Sequence, residues 1–368
     1  MRLFLFCFIA IFITQFFLTA KEYLIPIGHF RDKNLLICNL SSPENGNEQV
    51  SLYSWNAITK EMTTLLSTFF QPLFVHVLPD GQTFSFIDQG RLQIKQLYKR
   101  SPQTILLDDQ QIIESAMYCW IDDQRYIVCA WRYCPSLDER GCLAFKKGTY
   151  GLYRVDRDGA GTHTTSNYGM VSSLVTSSNS DALWPIIFEN SLFYVRYNCN
   201  SNEFSIICIN IDDPDYQEII FEAFLGEKFY GMLALSQDSI IYFLYENNIH
   251  HAILGTKEAS SQQNTWHSKE LFQFHDQATP LSSVSLFSPI LAKNKIIYFD
   301  EDNLKAYELE KNISFVIVNN DDKNVSLCVP YYVEGTLYCG FFFEEKSTRM
   351  WVENHTYYCD FPTFMLPD

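Results

Sequence analysis

The chain has 368 residues and carries 27 Lys and Arg against 43 Asp and Glu, a formal net charge of −16. An acidic chain without a basic stretch is repelled by a phosphate backbone, which excludes nucleic acid as a partner. Charged residues make up only 19% while aromatics reach 16%, with 30 Phe and 22 Tyr, so the composition excludes a disordered chain and calls for a large aromatic core.

The first twenty residues stand apart. Arg2 is followed by the apolar run Leu3–Ile13, then Thr14-Gln15, Phe16-Phe17-Leu18 and the small pair Thr19-Ala20. A basic start, a short apolar segment and a small residue before the polar Lys21-Glu22 describe a secretory signal peptide cleaved after Ala20. The alternative is an uncleaved membrane anchor, although Gln15 interrupts a stretch already short of the roughly 20 apolar residues a span needs. The mature protein, 21–368, is therefore expected to be secreted or periplasmic, with no stable membrane insertion after cleavage.

Along the mature chain, short apolar bursts recur: "NLLICNL" (34–40), "TFSFID" (83–88), "RYIVCA" (125–130), "SLFYVR" (191–196), "SIIYFLY" (239–245), "KIIYFDE" (295–301) and "TLYCGFF" (336–342). Their mean spacing is roughly 50 residues, the range of repeat architectures. Ile, Val, Phe and Tyr suit a pleated, buried surface, so each burst is predicted as a strand. A polar turn and an alternating run follow nearly every burst: "RLQIKQL" (91–97), "YGLYRVD" (150–156), "FSIICIN" (204–210), "IHHAILG" (249–255) and "NLKAYELE" (303–310). A further stretch precedes most bursts ("PLFVHVL", 72–78; "FYGMLAL", 229–235; "SVSLFSPIL", 283–291), and a fourth follows most runs ("QTILLD", 103–108; "QEIIFE", 217–222). Four short strands per unit at this period are what a β-propeller blade requires. No sustained i, i+3, i+4, i+7 pattern argues for a long helix, and no linker divides the chain. The expectation is an all-β chain forming a single propeller of four-stranded blades over 21–368, seven blades, with six as the alternative count. "EYLIPIG" (22–28) supplies either the leading strand of the first unit or a strand that completes the last blade and pins the ring.

"LPDGQTFSFIDQGRLQIKQL" (78–97), with Pro79-Asp80-Gly81 turning strand one into strand two, resembles the repeat of TolB-type and dipeptidyl-peptidase-IV-type propellers. "YRVDRDGAGTHTTSN" (153–167) is similar to the third-to-fourth-strand turn of the same family, while the other segments lack Pro-Asp-Gly. The resemblance implies the propeller fold. It does not bring a peptidase with it, because Gly-x-Ser-x-Gly is absent and the chain leaves no room for a hydrolase domain.

Eleven cysteines include Cys7 of the presumed signal; the even remainder in an exported chain makes disulfides plausible. The nearest pairs are Cys134/Cys142, Cys199/Cys208 and Cys328/Cys339, the last flanking the turn-like "VEG" (333–335) so that a hairpin could bring them face to face. Buried free thiols are the alternative. Asn39, Asn312, Asn324 and Asn354 open Asn-x-Ser/Thr sequons, which carry glycans only in a host that glycosylates secreted proteins.

Catalytic and metal chemistry find little footing. "DRDGAG" (156–161) has Ala160 where a calcium loop needs an oxygen ligand, and sits where a blade turn belongs. His250 and His251 are adjacent, so on a strand they point to opposite faces, and the other histidines lack ligands at metal spacing. No phosphate loop or dinucleotide fingerprint occurs, so no cofactor and no metal are expected. The acidic pairs Asp108-Asp109, Asp122-Asp123, Asp212-Asp213, Asp300-Glu301-Asp302 and Asp321-Asp322 could serve a glycosidase, yet all sit at strand ends, where Asp forms turns.

One connection departs from the rest. "WRYCPSLDERGCLAFKKGT" (131–149) replaces a few-residue turn and brings Trp131, Arg132, Tyr133, Asp138, Glu139 and Arg140, with Cys134 and Cys142 as a possible tie. Trp, Tyr and Arg are enriched at binding hot spots, and loops on a rigid scaffold carry recognition. The polar "TKEASSQQNTWHSKE" (256–270) reads as a second, flexible loop. The functional expectation is an exported, non-catalytic module that binds another protein or a glycan. The competing expectation is a carbohydrate-active or other small-substrate enzyme using carboxylates around the central channel.

Overall fold

The computed structural model describes residues 21–42, 49–68, 73–88, 91–97, 101, 103–104, 106–107, 112–137, 143–156, 168–177, 179–198, 200–201, 203–223, 227–259, 264–275, 289–301, 303–319, 326–343, 349–353 and 356–366. Among them there is no helix; thirty strands run through the chain. They fall into two compact units, one drawn from 1–29, 33–71 and 320–368, the other from 30–32 and 72–319.

Four strands open the chain in the first unit: β1 (Lys21–His29), β2 (Leu35–Ser42), β3 (Gln49–Trp55) and β4 (Glu61–Thr68). The second unit follows as five antiparallel blades. Blade 1 is β5 (Leu73–Val77), β6 (Thr83–Asp88), β7 (Arg91–Gln96) and β8 (Gln103–Thr104). A short β9 (Leu106–Leu107) then crosses to the outer edge of blade 2, which consists of β10 (Ile112–Trp120), β11 (Arg125–Leu137), β12 (Leu143–Asp156) and β13 (Tyr168–Val175). Blade 3 is β14 (Ser180–Phe188), β15 (Ser191–Asn198), β16 (Phe204–Asn210) and β17 (Asp213–Glu222). Blade 4 is β18 (Lys228–Ser236), β19 (Ser239–Glu246), β20 (Ile249–Ala259) and β21 (Asn264–Phe274). Blade 5 is β22 (Ile290–Ala292), β23 (Lys295–Asp300), β24 (Asn303–Glu308) and β25 (Ile313–Asn319).

Five of the seven predicted bursts become the second strand of a blade, and each alternating run becomes the third. "QTILLD" departs from the expected single strand: it splits into β8 and β9, and β9 pairs in parallel with β13 through Leu106 and Tyr168. Of "SVSLFSPIL" only Ile290 and Leu291 enter a strand, β22, and residues 283–288 lie outside the described residues.

Consecutive blades stack face to face. Ile87 and Leu92 of blade 1 pack on Tyr126, Val128 and Tyr153 of blade 2. Ile127 and Leu152 of blade 2 meet Leu192 and Tyr194 of blade 3. Blade 3 meets blade 4 through Phe193, Ile206, Ile240 and Tyr242, and blade 4 meets blade 5 through Phe243, Phe274, Ile296 and Tyr298. Because both faces of a middle strand are covered, the bursts of blades 2 to 5 are unbroken apolar runs rather than alternating ones.

The remaining bursts lie in the first unit and do not make blades of their own. The chain ends there with β26 (Ser326–Val333), β27 (Thr336–Phe343), β28 (Met350–Glu353), β29 (Thr356–Cys359) and β30 (Thr363–Met365). These merge with the opening strands into one nine-stranded sheet, ordered β26-β27-β1-β2-β3-β4-β29-β28, with β30 on β27. The blade count is thus five, neither seven nor six. The reason is that β1 pairs on both edges: Leu24 faces Asn39 of β2 on one side and Phe341 of β27 on the other. "EYLIPIG" therefore leads the first hairpin and also pairs with β27 in the same sheet. Trp55, fully buried, locks the two chain ends together. Its Nε1 donates to the Cys359 carbonyl at 2.8 Å, and its ring lies 5.0 Å from Phe361 and 5.9 Å from Tyr338.

Three local devices shape the strands. The Asp80-Gly81 turn is a blade turn as expected: Asp80 accepts the amides of Gln82 and Thr83, both at 2.8 Å, and Gly81 sits at φ 62. The middle tyrosine of three bursts is buried and reaches outward to the fourth strand of its own blade, Tyr194 to Gln217, Tyr242 to Ser268 and Tyr298 to Ser314. Burial pushes the Tyr194 and Tyr242 hydroxyls up to about 12. Finally, the ladder between third and fourth strands slips by one residue in blades 2 to 5 and between β3 and β4. The extra residue is aliphatic every time: Leu65, Leu174, Ile220, Leu271 or Ile317. Such bulges bend and twist an outer strand, which discourages edge-to-edge pairing.

Candidate functional site: a hairpin arm on blade 2

The insertion at 131–149 is not an irregular loop. β11 and β12 run for 13 and 14 residues, against 6 to 8 for the second strands of the other blades. β10 accompanies β11 only as far as Arg132, and β13 accompanies β12 only from Leu152 onward. Between those limits the two strands pair with each other alone among the described residues, setting Tyr133 opposite Lys147, Pro135 opposite Phe145 and Leu137 opposite Leu143. The result is a two-stranded arm continuing past the end of its blade.

Its base is firmly held. The Tyr150 amide donates to the Asp181 carboxylate of blade 3 at 2.7 Å, and the Thr149 hydroxyl donates to the Ser177 carbonyl. Gly151 sits so close to its neighbours that an added Cβ would lie 2.8 Å from the Val175 carbonyl and 2.9 Å from the Tyr153 hydroxyl. Glycine is needed here because only a bare α-carbon permits that approach.

The expected contact residues fare differently. Trp131 is only 8% exposed, so it packs into the blade instead of offering itself to a partner. Arg132 and Tyr133 lie on β11, Tyr133 being the first arm residue beyond the reach of β10. Asp138, Glu139 and Arg140 lie outside the described residues. Sequence reasoning missed the returning strand Leu143–Lys147. Its signal was available in "LAF", a short apolar run two residues after Gly141. The second candidate, 256–270, is likewise a paired hairpin and not a flexible loop: Thr256 faces His267 and Glu258 faces Thr265. It joins third and fourth strands while the arm joins second and third, so the two leave their blades from opposite ends.

The cysteine pairings need revision. Cys208 is a buried free thiol on β16, so a bond to Cys199 is not formed. Cys134 has Lys146 as its ladder partner, and Cys142 lies outside the described residues. The β26–β27 hairpin does turn at Glu334-Gly335, but Cys328 opposes Gly340 and Cys339 opposes Pro330, because Val329 is an extra residue in β26. The two cysteines are therefore diagonal neighbours and not face to face. Burial raises the Cys38 and Cys208 thiols to about 12 and pushes Cys119, Cys129 and Cys359 up as well. A nucleophilic cysteine needs the opposite shift.

Three members of the acidic pairs are engaged in the structure. Asp122 accepts the amides of Gln124 and Arg125 at 2.9 and 2.7 Å and binds the Arg125 Nε at 2.6 Å. Asp212 accepts from Asn190 Nδ2 at 3.2 Å, and Asp300 takes the His275 amide and the Lys305 ammonium. Asp108, Asp109, Asp302, Asp321 and Asp322 lie outside the described residues. Burial works against the charge on Asp122 and Asp300, yet the amides and cations around them prevail and hold both below the ordinary carboxylate range. The His251 contact lowers Glu270 too. A glycosidase acid must instead be raised. His250 and His251 point to opposite faces as expected, His250 stacking 4.9 Å from Phe274 in the core and His251 bonding Glu270 outside. Among the described residues no group of three or more acidic, Cys or His side chains could hold a metal, and no helix is long and apolar enough to cross a membrane.

No family model matches the chain, and no curated protein matches it either. Solved structures do. A prolyl endopeptidase aligns at TM-score 0.55 and 10% identity, over 88% of this chain and 45% of that one, so the chain spans less than half its length. The β-propeller domain of Cps50 (Swd1) from Myceliophteria thermophila aligns at TM-score 0.47 and 10% identity, covering 88% of this chain and 98% of that one. TolB from Acinetobacter baumannii aligns at TM-score 0.39 and 14% identity over 68% and 64%. At such identities the prolyl endopeptidase likeness speaks to architecture alone, and with the stacked four-stranded blades it makes this chain an all-β protein of the propeller fold.

Proposed function

We propose that the protein is an exported, non-catalytic propeller that binds another protein through the arm formed by Tyr133–Leu137 and Leu143–Lys147. One observation carries the reading: β11 and β12 continue as a pair beyond both neighbouring strands, from a base fixed by Tyr150, Gly151 and Asp181. A paired segment whose base is held in the scaffold loses little backbone freedom on docking. Among the described residues neither arm strand pairs on its outer side, so an extended partner strand could add to that edge. Asp122, Asp212 and Asp300 are engaged in turns, hydrogen bonds and ion pairs, which favours binding over the enzymatic alternative.

The test is a pull-down with the mature protein beside a variant in which 133–147 is replaced by a two-residue turn, leaving Trp131 and Tyr150 in place. The proposal expects a partner retained by the intact protein and lost from the shortened one at unchanged thermal stability. Equal capture by both would refute it. Amino-terminal sequencing of the secreted product should begin at Lys21.

A further inference from the structure

The four Asn-x-Ser/Thr sequons are not equivalent in the folded chain. Asn39 lies inside β2, paired with Leu24 of β1 on one side and Ser51 of β3 on the other. Its side-chain oxygen is buried and has no hydrogen-bond partner among the described residues. Asn312 is exposed, in the turn that joins β24 to β25. That turn is well fixed. The Asn312 amide donates to the Glu308 carbonyl at 2.9 Å, and its φ is 53, a left-handed value that Asn tolerates better than most residues. Tyr307, itself buried, donates its hydroxyl to Asn312 Oδ1 at 3.1 Å. The bond orients the carboxamide and leaves Nδ2, the atom that carries a glycan, without a hydrogen-bond partner among the described residues. Asn324 and Asn354 lie outside the described residues.

We propose that Asn312 is an N-glycan acceptor of the exported protein and that Asn39 is not. The inference rests on the export reading above, because the sugar is added to secreted chains. In the transfer, Asn312 Nδ2 forms a bond to the anomeric carbon of an oligosaccharide carried on a lipid diphosphate. The bond from that carbon to the diphosphate oxygen breaks, the lipid diphosphate leaves with the electron pair, and the amide gives up one proton. The fold then decides which modified chains persist. A glycan is bulky and belongs on the surface. On Asn312 it extends from an exposed turn and keeps the Tyr307 bond to Oδ1. On Asn39 it would displace whatever packs over a buried carboxamide oxygen, and a chain so modified does not reach the native sheet.

The test secretes the full chain from a eukaryotic cell line and collects the folded product from the medium. An amidase working in heavy-oxygen water releases the N-glycans and turns each glycosylated Asn into a labelled Asp, which peptide mass spectrometry locates. Label should appear at Asn312 in most molecules and be absent from Asn39. On a gel, Asn312→Gln should lose the mass of one glycan. Ser314→Ala, which keeps Asn312 but breaks its sequon, should lose the same mass and decides the matter if Asn312→Gln fails to fold. Ser41→Ala, which breaks the sequon at Asn39, should migrate as the wild type does. A secreted protein bare at Asn312, or labelled at Asn39, would overturn the proposal and leave export standing. A wild-type chain retained in the cell with its leader uncleaved would overturn the export reading, and this inference with it.

Discussion

Glu218 offers the sharpest test of how neighbouring blades are held. It lies on β17 of blade 3, and its two carboxylate oxygens reach into blade 4, Oε1 to the Lys257 ammonium at 2.8 Å and Oε2 to the Trp266 indole N–H at 2.9 Å. The Glu218 and Lys257 side chains are only 11% and 19% exposed, so water screens the contact little. Burial works against the Lys257 charge, but Glu218 overcomes it and holds the ammonium above its ordinary value. Glu218→Ala leaves Lys257 with Asp238 at 4.0 Å, an exposed partner. Each hydrogen bond to a charged group contributes about 1.5–3 kcal/mol, and breaking a buried pair from one side costs about 3–5. With two such bonds, not additive, and a site not fully dry, the expected loss is about 3 kcal/mol. For a unit of this size that lowers Tm by roughly 6–12 °C, at 2–4 °C per kcal/mol. Scanning calorimetry and urea unfolding read it directly. Lys33→Ala is the control: its ion pair with Glu334 has both side chains largely exposed, at 76% and 65%, and should matter by less than about 0.5 kcal/mol. If Glu218→Ala changes stability no more than Lys33→Ala does, the inter-blade pin is not a stabilising contact and the reasoning fails.

Three further outcomes are expected. Ser85, fully buried, accepts from Tyr118 and Trp120 of the next blade, both at 2.9 Å; Ser85→Ala should cost about 1–3 kcal/mol, with a double-mutant cycle against Tyr118→Phe showing positive coupling. Gly151→Ala should cost about 1–3 kcal/mol through the forced shift at the Val175 carbonyl, read as a lower urea midpoint with an unchanged m-value. Asp300 is held below the ordinary carboxylate range in the folded protein, so its contribution is complete above that range and is lost as the pH falls through the folded value; the Asp300→Asn variant should therefore match the wild type's stability more closely at acid pH than at neutral pH.

Much of the architecture was legible in the sequence because burial on both faces leaves an unmistakable trace. "SLFYVR", "SIIYFLY" and "KIIYFDE" could be read as second strands, since only a doubly covered strand tolerates so unbroken an apolar run. The first and last bursts carry the same trace but share one sheet. That outcome depends on β1 pairing across more than 300 residues to β27, a choice local pattern does not encode. The fourth-strand bulges were hidden for a related reason. "EIIF" and "ELFQ" place two apolar residues together, which reads as a broken alternation until the ladder shows one residue stepping out. At the candidate site, the anomaly of 131–149 was visible from length alone, whereas its hairpin form was obscured by the turn-like Pro135 and the charged stretch Asp138-Glu139-Arg140. Trp131 was misjudged as a contact because residue type, and not position, drew attention to it. It stands where β10 still runs alongside, and so it is buried.

The arm's role as the recognition element is most directly measured by hydrogen exchange of the mature protein, alone and with its captured partner. The account predicts added protection concentrated in 133–147, with the amides of blades 3 to 5 exchanging as in the free protein. Protection confined to other blades, with the arm unchanged on binding, would contradict it.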